Sequence, residues 1–146
     1  MAKYIERSAL VPFTALQMYE LVNDIEAFPE FMEGCVGSEI IEQGVNFMEA
    51  RLDLRKGGMA HSFATRNQLI HGERIEMQLS QGDAFKSLTG VWDFKNLGDV
   101  GCKVNLQLEF EFKNKLIALA AEPFFEQMAN QLVDAVCRRA NSIYQA

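Results

Sequence analysis

The sequence has 146 residues, of which 49% are hydrophobic and 23% charged, and its formal net charge is −6. A chain of this length buries enough surface to fold without disulfides or metals, and we expect a single domain spanning 1–146. The negative charge argues against general affinity for phosphate backbones, so no DNA partner is expected.

The cysteine spacing and the lack of long apolar runs indicate where in the cell the protein is expected to occur. The three cysteines are widely spaced and form no C-x-x-C pair, so neither a disulfide framework nor a metal site is indicated. No apolar run is long enough for a signal peptide or a transmembrane segment. We therefore expect a soluble cytoplasmic protein.

The N-terminal part of the chain predicts one strand followed by two short helices. Tyr4–Leu10 alternates weakly between apolar and polar residues, which favours a strand. Thr14 followed three residues later by Gln17 is a capping box, so the first helix begins at Thr14. Asp24 can cap a second helix that runs through Phe28 and is stopped by Pro29.

The middle of the chain predicts an antiparallel sheet. From Gly34 onward apolar residues recur with a period of two, and turn residues separate the segments. Short turns favour hairpins, and one apolar face per strand means that the sheet is covered on one side. The predicted strands are Val36–Glu42, Phe47–Arg55, Met59–Ile70, Arg74–Ser80, Lys86–Leu97 and Lys103–Phe112.

The last third of the chain predicts a long helix. Large apolar residues recur at i, i+4 spacing from about Phe124 to Tyr144. Pro123 interrupts this pattern, which leaves two interpretations: a short first piece over Lys115–Ala121 with a kink, or a separate helix that begins at the proline. In either case a helix this apolar needs a sheet to cover.

These elements together predict an α+β helix-grip fold, in which a curved antiparallel sheet of six to seven strands wraps around a long C-terminal helix and two short helices follow the first strand. Several stretches go further and carry a family resemblance. They are ALVPF at 9–13, MYELVNDI at 18–25, FPEF at 28–31, FATRNQL at 63–69, GVWDF at 90–94 and FEFKNKLI at 110–117. In these stretches the chain resembles the START-like (Bet v 1-like) family that includes bacterial ribosome association toxins of the RatA type and mitochondrial coenzyme Q-binding proteins.

The resemblance implies two roles, neither of which is enzymatic. The RatA-type members are described as binding the large ribosomal subunit and blocking subunit association, as the toxin of a proposed toxin–antitoxin pair. The coenzyme Q-binding members hold an isoprenoid quinone and support respiration. The resemblance thus implies as partners the large ribosomal subunit and a hydrophobic small molecule, ubiquinone or a similar prenyl lipid, with no required cofactor and no metal.

An apolar cavity between helix and sheet is the expected ligand site. Most of its candidate lining residues have large or polarizable apolar side chains. Two polar residues, Thr65 and Asn67, are added because they share the strand parity of Phe63 and Leu69, which we expect to face inward. Arg66 has the opposite parity and is expected to face outward. The candidates are Phe28, Phe31, Phe63, Thr65, Asn67, Met77, Trp92, Phe94, Phe124, Met128 and Leu132.

Two further expectations concern chemistry and the ribosome. Polyketide cyclases share this type of fold, so a cavity enzyme is the alternative, although both histidines, His61 and His71, fall near turns and are expected to be exposed.

A surface that binds the ribosome, through RNA or through a basic ribosomal protein, needs a local group of charged side chains. Its candidate cations are Arg51, Arg55, Lys56, Lys113 and Lys115.

Overall fold

A computed structural model describes residues 2–144 and confirms the helix-grip fold. Seven antiparallel strands form one sheet in the order β1-β7-β6-β5-β4-β3-β2, so the first strand pairs with the last. A 3-10 turn at Ile25–Ala27 separates the two short helices. The elements are β1 (Lys3–Val11), α1 (Ala15–Asn23), α2 (Phe28–Phe31), β2 (Cys35–Gln43), β3 (Phe47–Lys56), β4 (Met59–Ile70), β5 (Arg74–Gln81), β6 (Phe85–Asn96), β7 (Cys102–Phe112) and α3 (Lys115–Tyr144).

The concave face of the sheet is apolar because every second residue of each central strand points toward α3. The alternation is most regular in β7, where Val104, Leu106 and Phe110 are fully buried and the residues between them reach the outer face. The residue parity predicted for this strand is confirmed.

An aromatic cluster joins α3 to one end of the sheet. Phe125 of α3 lies with its ring centre 4.8 Å from Phe110, 5.1 Å from Phe85 and 6.0 Å from Phe63, all in edge-on geometry. Edge-to-face pairs of this kind add to the area that the rings bury. Phe125 therefore fixes where the helix lies across the concave face.

The start of α1 is the predicted capping box. The Thr14 hydroxyl accepts a hydrogen bond from the backbone N–H of Gln17 at 3.0 Å, and the Gln17 carboxamide oxygen accepts one from the backbone N–H of Thr14 at 2.9 Å. Two N–H groups that the helix cannot satisfy are thus bonded.

The second short helix differs from its prediction. Pro29 does not stop it; the proline lies in the first turn of α2, where its missing N–H costs no helical hydrogen bond. The Asp24 side chain makes no capping bond, and the backbone N–H of Asp24 donates to Leu21 instead. The segment is a 3-10 turn followed by a single helical turn.

α3 is one continuous helix, so the separate-helix interpretation is wrong. Pro123 removes the hydrogen bond that residue 123 would donate to Leu119, but both residues lie on the exposed side, where water can bond the carbonyl. Apolar packing of Ala121 and Phe125 on either side keeps the helical path. None of the described helices is long and apolar enough to cross a membrane.

On the convex face, an ion-pair network engages Arg51. Its guanidinium donates to Glu39 at 2.8 Å and to Asp53 at 3.1 Å, and the Ser62 hydroxyl donates to Asp53 at 2.7 Å. The pKa of Asp53 lies below its ordinary value of 3.8. The main cause is the hydrogen bond from Ser62, and the second is the interaction with Arg51.

Truncating Phe125 tests the aromatic cluster. Phe125→Ala removes a ring that contacts four others, and it should lower the free energy of unfolding by about 3–5 kcal/mol. The neighbouring Phe124 is only half-buried, so Phe124→Ala should cost roughly half as much or less. Urea unfolding measures both, and equal losses would contradict the account.

The Asp53 network should make stability depend on pH with a defined sign. Because the pKa of Asp53 is lower in the folded state, its contribution is complete above about pH 3.8 and is lost as pH falls through the folded-state pKa. Ser62→Ala should therefore destabilise the chain by about 1 kcal/mol near pH 7 and by less near pH 3. Ser87→Ala, on the exposed side of β6, is the control and should show no such pH dependence.

Candidate functional site

A cavity of about 80 Å³ lies between the concave face of the sheet, α1 and α3. Its wall is almost wholly apolar, with the exception of three polar residues. The lining residues are Val22, Asn23, Ile25, Phe28, Met32, Ala50, Leu52, Phe63, Thr65, Asn67, Ile75, Met77, Leu88, Gly90, Trp92, Leu108, Phe125, Ala129 and Leu132.

Strand periodicity explains how the wall is assembled. On β4 the residues Phe63, Thr65 and Asn67 all point inward, as predicted, whereas Arg66 lies on the outer face and approaches Glu49. On β6, Gly90 takes an inward position next to Trp92; a Cβ atom at Gly90 would lie 2.6 Å from the side chains of both Met77 and Leu108. Because Gly90 has no side chain, the side chains of Met77 and Leu108 can occupy this part of the wall.

The polar centre of the cavity is a buried pair on β4. Thr65 is 8% exposed and Asn67 3%, and the Thr65 hydroxyl donates to the Asn67 carboxamide oxygen at 2.8 Å. The Asn67 amide nitrogen has no hydrogen-bond partner among residues 2–144. The pair therefore leaves the two N–H donors of the Asn67 amide available in an apolar surrounding, where a new hydrogen bond is worth most.

One more polar side chain, that of Asn23, belongs to the wall. Asn23, the last residue of α1, has a buried carboxamide oxygen that finds no partner within the described chain. Leaving such an acceptor unpaired costs about 1–3 kcal/mol, so this part of the wall favours an occupant that carries a hydrogen-bond donor, such as a hydroxyl group. Asn23 was missed from the sequence because it was interpreted only as a helix end; its position one residue after the buried Val22 was the available signal.

The cavity is close to the surface at one place. Met32 and Leu132 line both the cavity and a neighbouring surface groove that also contains Glu33, Gln131 and Arg138. Close by, Arg139 links α3 to α2 through an ion pair with Glu30 of 3.2 Å. The wall at Met32 and Leu132 is thus one layer of side chains thick.

The predicted lining residues divide into two groups. The structure brings Phe28, Phe63, Thr65, Asn67, Met77, Trp92 and Leu132 together on the wall, and their contact with a ligand remains a prediction. The other four lie elsewhere for reasons of packing, as follows.

The remaining candidates lie outside the cavity wall. Phe94 stands behind the wall, with its ring parallel to that of Trp92 at 6.1 Å and edge-on to Tyr19. Phe31 packs on Phe28 and under the guanidinium of Arg139. Phe124 and Met128 face the surface groove beside Gly34, because the helix turns Phe125 and Ala129 toward the cavity instead.

The candidate cations are placed unequally. Arg51 is engaged by Glu39 and Asp53, and Lys56 lies 3.8 Å from Glu33. The other three, which lie near the end of the sheet where β3 and β7 finish, are exposed and form no ion pair within residues 2–144; they are Arg55, Lys113 and Lys115.

Three relatives match over most of the chain. A "Ribosome association toxin RatA" of Pseudomonas aeruginosa is 42% identical over 99% of each chain. The protein of the same name from Vibrio cholerae is 46% identical over 97% of this chain and 98% of the relative. A mitochondrial coenzyme Q-binding protein of Dictyostelium discoideum is 25% identical over 88% of this chain and 64% of the relative.

Fold comparison and a family model agree with these similarities. The Zhui aromatase/cyclase from Streptomyces has a TM-score of 0.87 at 16% identity, covering 100% of this chain and 98% of that chain, which shows a shared fold. The family model for polyketide cyclase/dehydrase and lipid transport matches residues 11–137. The chain therefore belongs to the polyketide cyclase/dehydrase and lipid transport family, and within it to the group of ribosome association toxins named RatA.

Proposed function

We propose that this chain acts on the ribosome: that it binds the large subunit in the cytoplasm and hinders its association with the small one. The observation that carries this proposal is identity of 42% and 46% over nearly the whole chain to proteins named as ribosome association toxins. Similarity that extends through every element supports a shared activity better than a shared fold does.

We also propose that the cavity holds an apolar ligand with an oxygen-bearing ring, in the class of prenylated quinones. The observation that favours it is the Thr65–Asn67 pair, because the pair offers an amide donor to a carbonyl oxygen in an apolar cavity. The similarity to a protein named for coenzyme Q binding points in the same direction.

The size of the cavity limits how such a ligand can bind. About 80 Å³ is below the roughly 150 Å³ of an apolar cavity that holds one benzene ring, and far below the roughly 300–1,000 Å³ that drug-sized ligands occupy, so the cavity must widen to admit a ring and cannot hold a long tail. A prenyl tail would leave through the thin wall, displacing Met32 and Leu132 toward the surface groove. Methionine adapts to such a change because its side chain is unbranched and flexible.

The chemistry of the wall supports binding over catalysis. A cyclase needs acid or base side chains within reach of its substrate. Among the lining residues in the described part of the chain there is no Asp, Glu, His, Lys, Arg, Cys or Tyr. Asparagine, threonine and the tryptophan indole can orient a carbonyl group, but they do not exchange protons near neutral pH.

The ligand proposal is tested by native mass spectrometry of the protein purified from its own host, followed by solvent extraction. We expect a co-purifying prenylquinone. Asn67→Leu keeps the number and branching of the side-chain heavy atoms and removes the donor, so it should lower occupancy by roughly tenfold, in line with the loss of one buried hydrogen bond. Asn105→Leu, on the convex face of β7, is the matched control and should retain the ligand. An empty cavity in a folded wild-type chain would refute the proposal.

The ribosome proposal is tested separately by sedimentation. Purified chain mixed with dissociated subunits should migrate with the large subunit on a sucrose gradient and reduce the fraction of joined ribosomes as its concentration rises. Migration with the small subunit, or with neither, would contradict the proposed activity. Repeating the gradient with Asn67→Leu shows whether ribosome binding depends on the ligand.

A further inference from the structure

Ion pairs neutralise many of the basic side chains of this acidic protein. The cations in such pairs are Lys3, Arg51, Lys56, Arg66, Arg74, Lys86 and Arg139. Lys95 and Lys103 form no ion pair within residues 2–144, and they were not among the candidate cations predicted from the sequence.

The register of the sheet places these two lysines directly opposite each other. Lys95 of β6 pairs with Lys103 of β7, and Lys103 pairs in turn with Leu10 of β1. All three are exposed on the convex face. Directly opposed residues have Cα atoms about 4.5–5.5 Å apart, so the two ammonium groups share one small area of surface. We call Leu10, Lys103 and Lys95 the basic row.

Within residues 2–144 no carboxylate forms an ion pair with the lysines of the basic row, although Asp99 and Glu73 lie in the neighbouring turns. The next row toward the middle of the sheet contains Asp93, and that carboxylate already accepts a hydrogen bond from Arg74 at 3.2 Å. The turn between β6 and β7 contributes one carboxylate, Asp99. It also contributes Val100, which is 78% exposed, close to Leu10 at 72%. The area therefore combines two free cations with exposed apolar groups.

The row is held on a rigid support. In the adjoining turn Gly101 has φ 151°, and a Cβ atom there would lie 2.0 Å from the carbonyl oxygen of Val11. Only glycine permits this close approach, which fixes the turn against the end of β1. Side chains that project from a fixed sheet lose less freedom on binding than side chains on a mobile loop.

Like charges placed directly opposite each other in a sheet destabilise it, and an anion between them relieves the repulsion. The rest of this protein, with its net charge of −6, repels a polyanion, so contact with RNA requires a local cationic surface. We propose that the basic row binds the phosphate backbone of ribosomal RNA on the large subunit. This inference rests on the proposed ribosomal function and names the surface that performs it.

A second free pair, Lys113 and Lys115, serves as the comparison. These residues flank the junction of β7 and α3 and are not opposed in the sheet. Carboxylates lie close to them in sequence: Glu111, 3.8 Å from Lys86, and Glu122, 3.7 Å from Lys3. Lys113 lies in the junction and Lys115 is the first residue of α3, so the register of the sheet does not hold the two side by side.

The test is sedimentation of purified wild-type and variant chains with isolated large subunits over a series of salt concentrations. The double variant K95E/K103E should bind roughly tenfold or more weakly, and removal of two phosphate contacts should reduce the slope of log affinity against log salt by about 2. The variant K113E/K115E has the same change in net charge and reverses two of the cations predicted from the sequence to face the ribosome, so it tests the rival surface. The inference expects it to stay within about twofold of wild type, and a larger loss than that of K95E/K103E would assign the RNA contact to Lys113 and Lys115 instead. Arginine at both positions, K95R/K103R, should preserve binding.

Three results would overturn the inference in different ways. Binding by K95E/K103E at the wild-type level, or equal losses in both charge-reversal pairs, would refute the basic row and leave the ribosomal function standing. A loss of affinity with an unchanged salt slope would assign the surface to a ribosomal protein and refute RNA contact. Failure of the wild-type chain to sediment with large subunits would refute the proposed function itself, and the basic row with it.

Discussion

The structure depends on covering one apolar face of a seven-stranded sheet with one helix. A single helix is narrower than the concave surface, so it cannot fill all of the space beneath it. At one end of the sheet aromatic rings fill the remaining space, with Phe125 packed among Phe85, Phe110 and Phe112. Nearer α1 the wall carries smaller residues, including Gly90, Ala129 and Ala50, and a cavity remains. The same constraint thus produces both the aromatic cluster at one end of the core and the cavity near α1.

The hairpins between consecutive strands, strand parity and the first helical cap were predictable from the sequence because each depends on local pattern, whereas the pairing of β1 with β7 joins segments distant in sequence and was not predicted. The parity of β4 was correct for Thr65 and Asn67, since Phe63 fixes which side faces inward. The rotation of α3 was not predictable to the same accuracy. A broad apolar helical face leaves the helix free to turn by about one residue, or roughly 100°, and this decided that Phe125 and not Phe124 meets the cavity.

Effects that depend on partners distant in sequence could not be predicted. Pro123 was interpreted as a break because its local cost was visible, whereas the packing that outweighs it comes from the sheet. The same applies to charge. Arg51 looked free in the sequence and is bound by two carboxylates, while Lys95 and Lys103 become a pair only through the register of β6 and β7. Cations that cluster along the sequence therefore predict a different binding surface from the cations that the folded structure leaves without an ion pair.

The thin wall at Met32 and Leu132 has a kinetic consequence. Where a ligand must wait for a helix to detach, residence time follows the slow opening of the domain, on microseconds to seconds. Here two side chains separate the cavity from the groove. Because Met32 is buried, its rotation is slower than the picoseconds to nanoseconds of exposed side chains, but it does not require a helix to detach. Residence time is then governed by the strength of the contacts inside. Oxidation of Met32 to the sulfoxide would place a polar group in that buried wall, which would weaken the barrier between cavity and solvent and disturb the packing around it.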